Sequence, residues 1–258
     1  MVSKKALLDV LESIAPKHLA MDWDNCGLLI DAKEGYERLL ICVDITADVL
    51  DEAIEKKCDL IISHHPLIFD PIKSIDKNSI VFKAIQSGIS VYAAHTNMDV
   101  VAGGVNDTLA KMCGITNCQP LDSENDNGFG CVGTLAQKIT VSEVVQNIED
   151  ALKVEGIRVT GALDRPVEVV AVACGAGGDS VNAAKSAGVD VLLTGEAKHH
   201  EHLLATSLDL VLLEAGHYNT EKHFVKLMAE RLQATTDELK YNLQVKISER
   251  EKPPYVTI

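Results

Sequence analysis

Among the 258 residues, no apolar run approaches the roughly 18 to 20 that a membrane-crossing helix needs, so no membrane role is expected. The opening segment, MVSKKALLDVLESIAPKHL, lacks the continuous apolar stretch of a secretion signal and reads as an amphipathic helix opened by Ser3. No two cysteines stand at CxxC spacing. The seven present are Cys26, Cys42, Cys58, Cys113, Cys118, Cys131 and Cys174; the number is odd and several sit inside apolar, strand-like runs. That is the pattern of reduced, mostly buried thiols in a cytoplasmic protein, and the closest pair, Cys113 and Cys118, is not read as a zinc knuckle. No G-x-S-x-G string occurs and no cysteine has a recognisable nucleophile context, which leaves covalent catalysis without a visible candidate. Positive charge is scarce: 24 Lys and Arg stand against 38 Asp and Glu, a formal net charge of −14, with a pI near 5.0. Such a field repels phosphate backbones, so nucleic acid is not an expected partner of the outer surface. A local cleft lined by cations remains compatible with it.

What is present is an ordinary globular composition, 47% hydrophobic and 24% charged. Strand and helix patterns alternate: Leu39–Val43 strand, Ala47–Lys57 helix, Leu60–Ser63 strand, Ile80–Ser87 helix, Ser90–Ala94 strand, Val105–Cys113 helix. This spacing predicts an α/β fold with mostly parallel sheets and helices on their faces. The polar string PLDSENDNGFG, residues 120–130, predicts a domain boundary. A second alternating lobe follows: Val141–Leu152 helix, Glu168–Cys174 strand, Ser180–Ala187 helix, Val191–Thr194 strand, His199–Ser207 helix, Leu210–Leu213 strand and Thr220–Gln233 helix. The expected domains are 1–125, 126–236, and a strand-like tail 237–258 that returns to one of the lobes.

Three apolar, β-branched runs break directly into residues that can hold a metal: ISHHP (62–66), AHTNMD (94–99) and GHYNTE (216–221). A strand ending in a His- or Asp-bearing loop presents ligands at the carboxyl edge of an α/β sheet. Neighbouring side chains in a strand face opposite ways, but Pro66 ends the strand. His64 and His65 are then able to diverge toward two adjacent ions or converge on one. Asp99 is a good ligand type because a carboxylate can bridge two ions. His95 suits a ligand, a group behind the ligands or a proton carrier. His217 and Glu221 share a face if the chain is already helical at His217; Glu221 also suits a capping role or a pair with Lys222. A fourth strand end, LLTGEAKHHEHLL, carries Glu196 and His200 at i,i+4, candidates for acid–base or substrate contacts. CGAGGDS (174–180) is read as simple turn chemistry; it is not G-x-G-x-x-G, and no dinucleotide fold is expected.

The chain closely resembles the family named for its yeast Ngg-interacting-factor-three member, whose bacterial proteins carry the name GTP cyclohydrolase 1 type 2 homologue. The matching strings are WDNCGLLI (23–30), SHHPLIFDPIKSI (63–75), AAHTNMDVVAGGVND (93–107), CGAGGDS (174–180), LLTGEAKHH (192–200) and EAGHYNTEK (214–222). The resemblance implies two α/β lobes with a dinuclear metal site in the cleft between them. It implies His64, His65, Asp99, His217 and Glu221 as ligands, and a hexameric ring built as a trimer of dimers. This chain has only PLDSENDNGFG where some members insert a further domain. The expected function is a metal-dependent hydrolase acting on a nucleotide-like substrate, of the GTP cyclohydrolase type. Two divalent ions (Zn, Fe, Mn or Ni) would act with His95, His200 or Glu196 as catalytic proton carriers. The alternatives are a non-enzymatic, metal-stabilised scaffold with a transcription-factor or nucleic-acid partner and, more weakly, metal storage.

Overall fold

A computed structural model describes residues 1–121 and 129–256. They divide into two compact units: 1–101 with 224–254, and 102–223 with the C-terminal residues from Tyr255.

The chain opens with β1 (Val2–Ser3) and α1 (Lys4–Ile14). The hydroxyl of Ser3 accepts the Ala6 N–H at 3.3 Å and caps α1. Then come β2 (Gly27–Ile30), β3 (Gly35–Tyr36) and β4 (Arg38–Cys42), α2 (Ala47–Glu55), β5 (Leu60–Ser63) and α3 (Ile80–Gln86), and β6 (Ser90–Ala93) and α4 (Thr96–Val100). β4, β5 and β6 are parallel neighbours, with β2 antiparallel on β6; β1 and β3 form a small antiparallel pair. All four residues of β5 are buried, as expected of a parallel strand covered on both faces. Leu40, Ile61, Val91, Val49 and Ala53 pack in one core cluster.

The second unit begins with α5 (Val105–Met112), β7 (Thr116–Pro120) and β8 (Cys131–Thr140). It continues with α6 (Val141–Leu152), β9 (Arg158–Thr160) and β10 (Pro166–Ala173). α7 (Val181–Ser186), β11 (Val191–Thr194), α8 (His199–Ser207), β12 (Val211–Glu214) and α9 (His217–Glu221) complete it. Its sheet runs β7-β8-β10-β11-β12-β9. β10, β11 and β12 are parallel, while β7, β8 and β9 add antiparallel edges. The first sheet is therefore mostly parallel and the second mixed. α10 (Phe224–Glu238) and β13 (Gln244–Ile247) belong to the first unit, and β13 pairs in parallel with β4 at the sheet edge.

This division differs from the expected domains 1–125, 126–236 and 237–258. It falls at 101/102 because β7 hydrogen-bonds to β8, which ties 116–120 to the second sheet. Of the boundary string 120–130, residues 122–128 lie outside the described residues. The single helix expected over Thr220–Gln233 is two, α9 and α10, and the units divide between them. The tail joins the first unit through β13 as far as Pro254, and Tyr255 falls with the second.

Candidate metal centre

In the first unit, the ends of β5 and β6 bring three imidazoles together. One ligand nitrogen from each of His64, His65 and His95 lies within 4.8 Å of the others. Their ring centroids stand 5.1 to 5.4 Å apart. In each ring, Nδ1 is engaged by an acceptor. His64 Nδ1 donates to the Ala94 carbonyl at 2.9 Å. His65 Nδ1 lies 2.7 Å from Asp44 Oδ1, and His95 Nδ1 lies 2.8 Å from Asp24 Oδ1. A carbonyl or carboxylate partner places the proton on Nδ1 and leaves on Nε2 the lone pair that can ligate a metal or take a proton. His64 is fully buried and Asp99, in α4, is 3% exposed. His64 Nε2 and Asp99 Oδ1 are 3.5 Å apart. A neutral His64 turns a lone pair toward that carboxylate, and a cation ligated by both removes the repulsion. The donors therefore fit a divalent metal ion of the imidazole–carboxylate class.

Asp24 carries its own electrostatic signature. Burial by itself would raise the carboxyl. Hydrogen bonds from His95, Cys26 and Thr96 outweigh it and hold Asp24 well below the usual carboxylate range. It is ionised at neutral pH and orients His95. Trp23 and Phe69 flank the same ring, at 6.3 and 6.4 Å between centroids.

In the second unit, α9 starts at His217, so His217 and Glu221 lie one turn apart. His217 Nε2 is 3.1 Å from Glu221 Oε2, and its Nδ1 is 3.3 Å from Glu196 Oε1. Glu221 is 2% exposed. Gly175 makes room for this pair. A Cβ at that position would stand 2.1 Å from Glu221 Oε1 and 3.2 Å from His217 Nε2. The other glycines of the CGAGGDS turn are likewise demanded by packing: a Cβ on Gly177 meets Ala173, and one on Gly178 meets Glu201. Glu196 also lines a cavity of about 480 Å³ within this unit, together with Arg158, Lys198, Asn219 and Tyr255.

The sequence matches the description Duf34/NIF3 (NGG1p interacting factor 3) over residues 2–254. The chain belongs to the DUF34/NIF3 family. It is similar to the GTP cyclohydrolase 1 type 2 homolog of Clostridium acetobutylicum, at 32% identity over 97% of both chains. It also resembles the NIF3-like protein 1 of Drosophila melanogaster, at 32% identity over 98% of this chain and 88% of that one. The crystal structure of a Bacillus cereus protein related to NIF3 superposes with a TM-score of 0.91 at 28% identity, covering 99% of both chains.

Within this NIF3-family chain, the expected site residues meet different surroundings. His64, His65, His95 and Asp99 gather at the strand ends of the first unit, and His217, Glu221 and Glu196 gather in the second. Glu196 and His200 do not share a helix face. α8 begins only at His199, with Lys198 as its cap, so Glu196 precedes the helix and turns to His217. The His200 side chain is 73% exposed and lies 3.9 Å from Glu201. Asp24, Asp44 and Gly175 were not singled out from sequence. Asp44 carried a usable signal, because it stands two residues after β4 just as His65 stands two residues after β5.

Proposed function

We propose that this NIF3-family chain is a metal-dependent hydrolase of a nucleotide-like substrate, with ring opening of the GTP cyclohydrolase type as its reaction. His64, His65 and Asp99 of the first unit and His217 and Glu221 of the second are the residues that would hold the divalent ions. The observation that carries this reading is the set of three imidazoles, each anchored at Nδ1 by an acceptor and each offering a nitrogen within 4.8 Å of the others. Such anchoring at Nδ1 fixes the ring and its tautomer, as metal-ligating and proton-carrying histidines both require. Divalent ions held by these residues would supply Lewis acidity and would lower the pKa of a water toward neutrality.

The chain's own groups do the rest. His95 takes a proton and returns it, and the ionised Asp24 holds the ring and stabilises its charged form. Trp23, 63% exposed, and Phe69 offer flat apolar faces beside His95 on which a heterocyclic base can stack. Imidazole and carboxylate donors suit Zn, Fe, Mn or Ni. The working form is a homo-hexamer, as the family resemblance implies.

Elemental analysis of the purified protein, followed by a nucleotide substrate screen with the metal-loaded form, tests the proposal. The expected result is about two equivalents of transition metal per chain. His65→Ala and Glu221→Gln, one in each unit, should each abolish turnover while the fold survives. If either variant keeps its metal and its turnover, the residue it replaces does not belong to the site. Metal binding without turnover of any substrate, with loss of assembly on chelation, would establish the scaffold reading instead.

A further inference from the structure

A second group of donors lies in the second unit, on elements that contribute nothing to the histidine set. Sγ of Cys118 on β7, Sγ of Cys131 at the start of β8, and a carboxylate oxygen of Asp107 in the first turn of α5 lie within 4.8 Å of one another. Cys118 and Cys131 are 13 residues apart in sequence and show no motif spacing.

The backbone brings them together by a local irregularity. Thr116 pairs with Thr134, and Gln119 pairs with Val132, so β7 carries one residue more than β8 across this stretch. Asn117, inside the bulge, sits at φ +58°. A bulge of this kind re-aims the side chain beside it, here Cys118. Opposite it, Gly133 supplies the space: a Cβ there would lie 3.1 Å from Cys118 Sγ and 2.6 Å from Ile115 Cγ2. Asp107 is held in turn, because its Oδ2 accepts the Gly103 N–H at 2.7 Å. The Cys131 sulfur is 3.8 Å from the Asn106 carbonyl, and Cys131 is 3% exposed.

We propose that Asp107, Cys118 and Cys131 form a further cation site that takes one thiophilic divalent ion of the zinc or cadmium class. Tetrahedral coordination with metal–sulfur bonds of about 2.3 Å sets neighbouring ligand atoms roughly 3.8 Å apart, so closure needs only small side-chain adjustments. Two sulfurs and one carboxylate select a soft ion over magnesium or calcium. Burial raises both thiols, so binding releases their two protons to solvent. This donor chemistry differs from the imidazole–carboxylate set, and the two can be read separately.

The test is titration of Cd²⁺ into the full chain, kept reduced by a phosphine, while following the ultraviolet sulfur-to-cadmium charge-transfer band. Imidazole and carboxylate ligands give no such band. We expect saturation at about one equivalent per chain. Cys118→Ser, at a half-buried position, and Cys131→Ser should each abolish the band. Asp107→Asn should weaken binding about tenfold, and Cys113→Ser should change nothing. Reduced protein that gives no band, or a band that survives Cys118→Ser, overturns the assignment. So does an equal loss on Cys113→Ser.

Discussion

Asp24 Oδ1 and His95 Nδ1 stand 2.8 Å apart across 71 residues of sequence. The same carboxylate accepts the Thr96 N–H at 3.1 Å and the Cys26 thiol at 2.9 Å. A buried, ionised carboxylate with this many donors orients a histidine. Asp24→Asn should keep the metal content and lower kcat by about 10- to 100-fold, with little change in KM. Metal analysis beside steady-state kinetics distinguishes this from loss of the site, which would lower both.

Glu52 provides the clearest acid-dependent stabilisation. It is 1% exposed, receives Lys56 Nζ at 2.5 Å and the Ser248 hydroxyl at 2.6 Å, and accepts the Glu249 and Arg250 N–H groups. These bonds tie α2 to the turn after β13. Burial opposes ionisation, but the bonds outweigh it and push the carboxyl down to about 2 from 4.5. A lowered folded pKa means that the stabilisation is complete above the unfolded value and is lost as pH falls through the folded one. Glu52→Gln should cost about 1–3 kcal/mol near neutral pH. In urea unfolding, the gap to the wild type should close as pH falls from about 4.5 toward about 2.

Much of this arrangement was legible in the chain. His64-His65-Pro66 ends a β-branched run, and Pro66 cannot continue the ladder, so the histidine pair could be placed at a strand end. Ser3 and the helix Val141–Leu152 were readable for the same reason, because local capping and period are written in neighbouring residues. Other features depend on partners far away in sequence. β8, at Cys131–Thr140, becomes a strand because β7 and β10 lie on either side of it. Asp24 matters only because β6 delivers His95 to it. The break between α9 and α10 marks the change of unit, which no local propensity announces. Glu196 and His200 had helical spacing, yet the helix starts three residues after Glu196.

Trp23 and Phe69 sit 5.9 Å apart between centroids beside His95. Both are substantially exposed, so truncation should cost less than about 0.5 kcal/mol of folding stability. If a heterocyclic base stacks on them, Trp23→Ala should raise KM about tenfold with kcat nearly unchanged, the signature of lost ground-state contact. A substrate titration of the variant checks it; unchanged KM would remove Trp23 from the binding face.

Gly175 and Gly188 offer a matched pair of substitutions within one unit. Both occupy the left-handed region, at φ +57° and +71°. A Cβ on Gly188 meets nothing within 4 Å, whereas one on Gly175 runs into Glu221. Replacement by alanine strains the backbone similarly in each, at about 1 kcal/mol. Only Gly175→Ala must also push the Glu221 carboxylate away from His217. Thermal unfolding should therefore show both variants destabilised, and more so Gly175→Ala. Metal analysis should show binding weakened about tenfold or more in Gly175→Ala and unaffected in Gly188→Ala. Equal metal retention in the two variants would mean that the position of Glu221 does not govern binding.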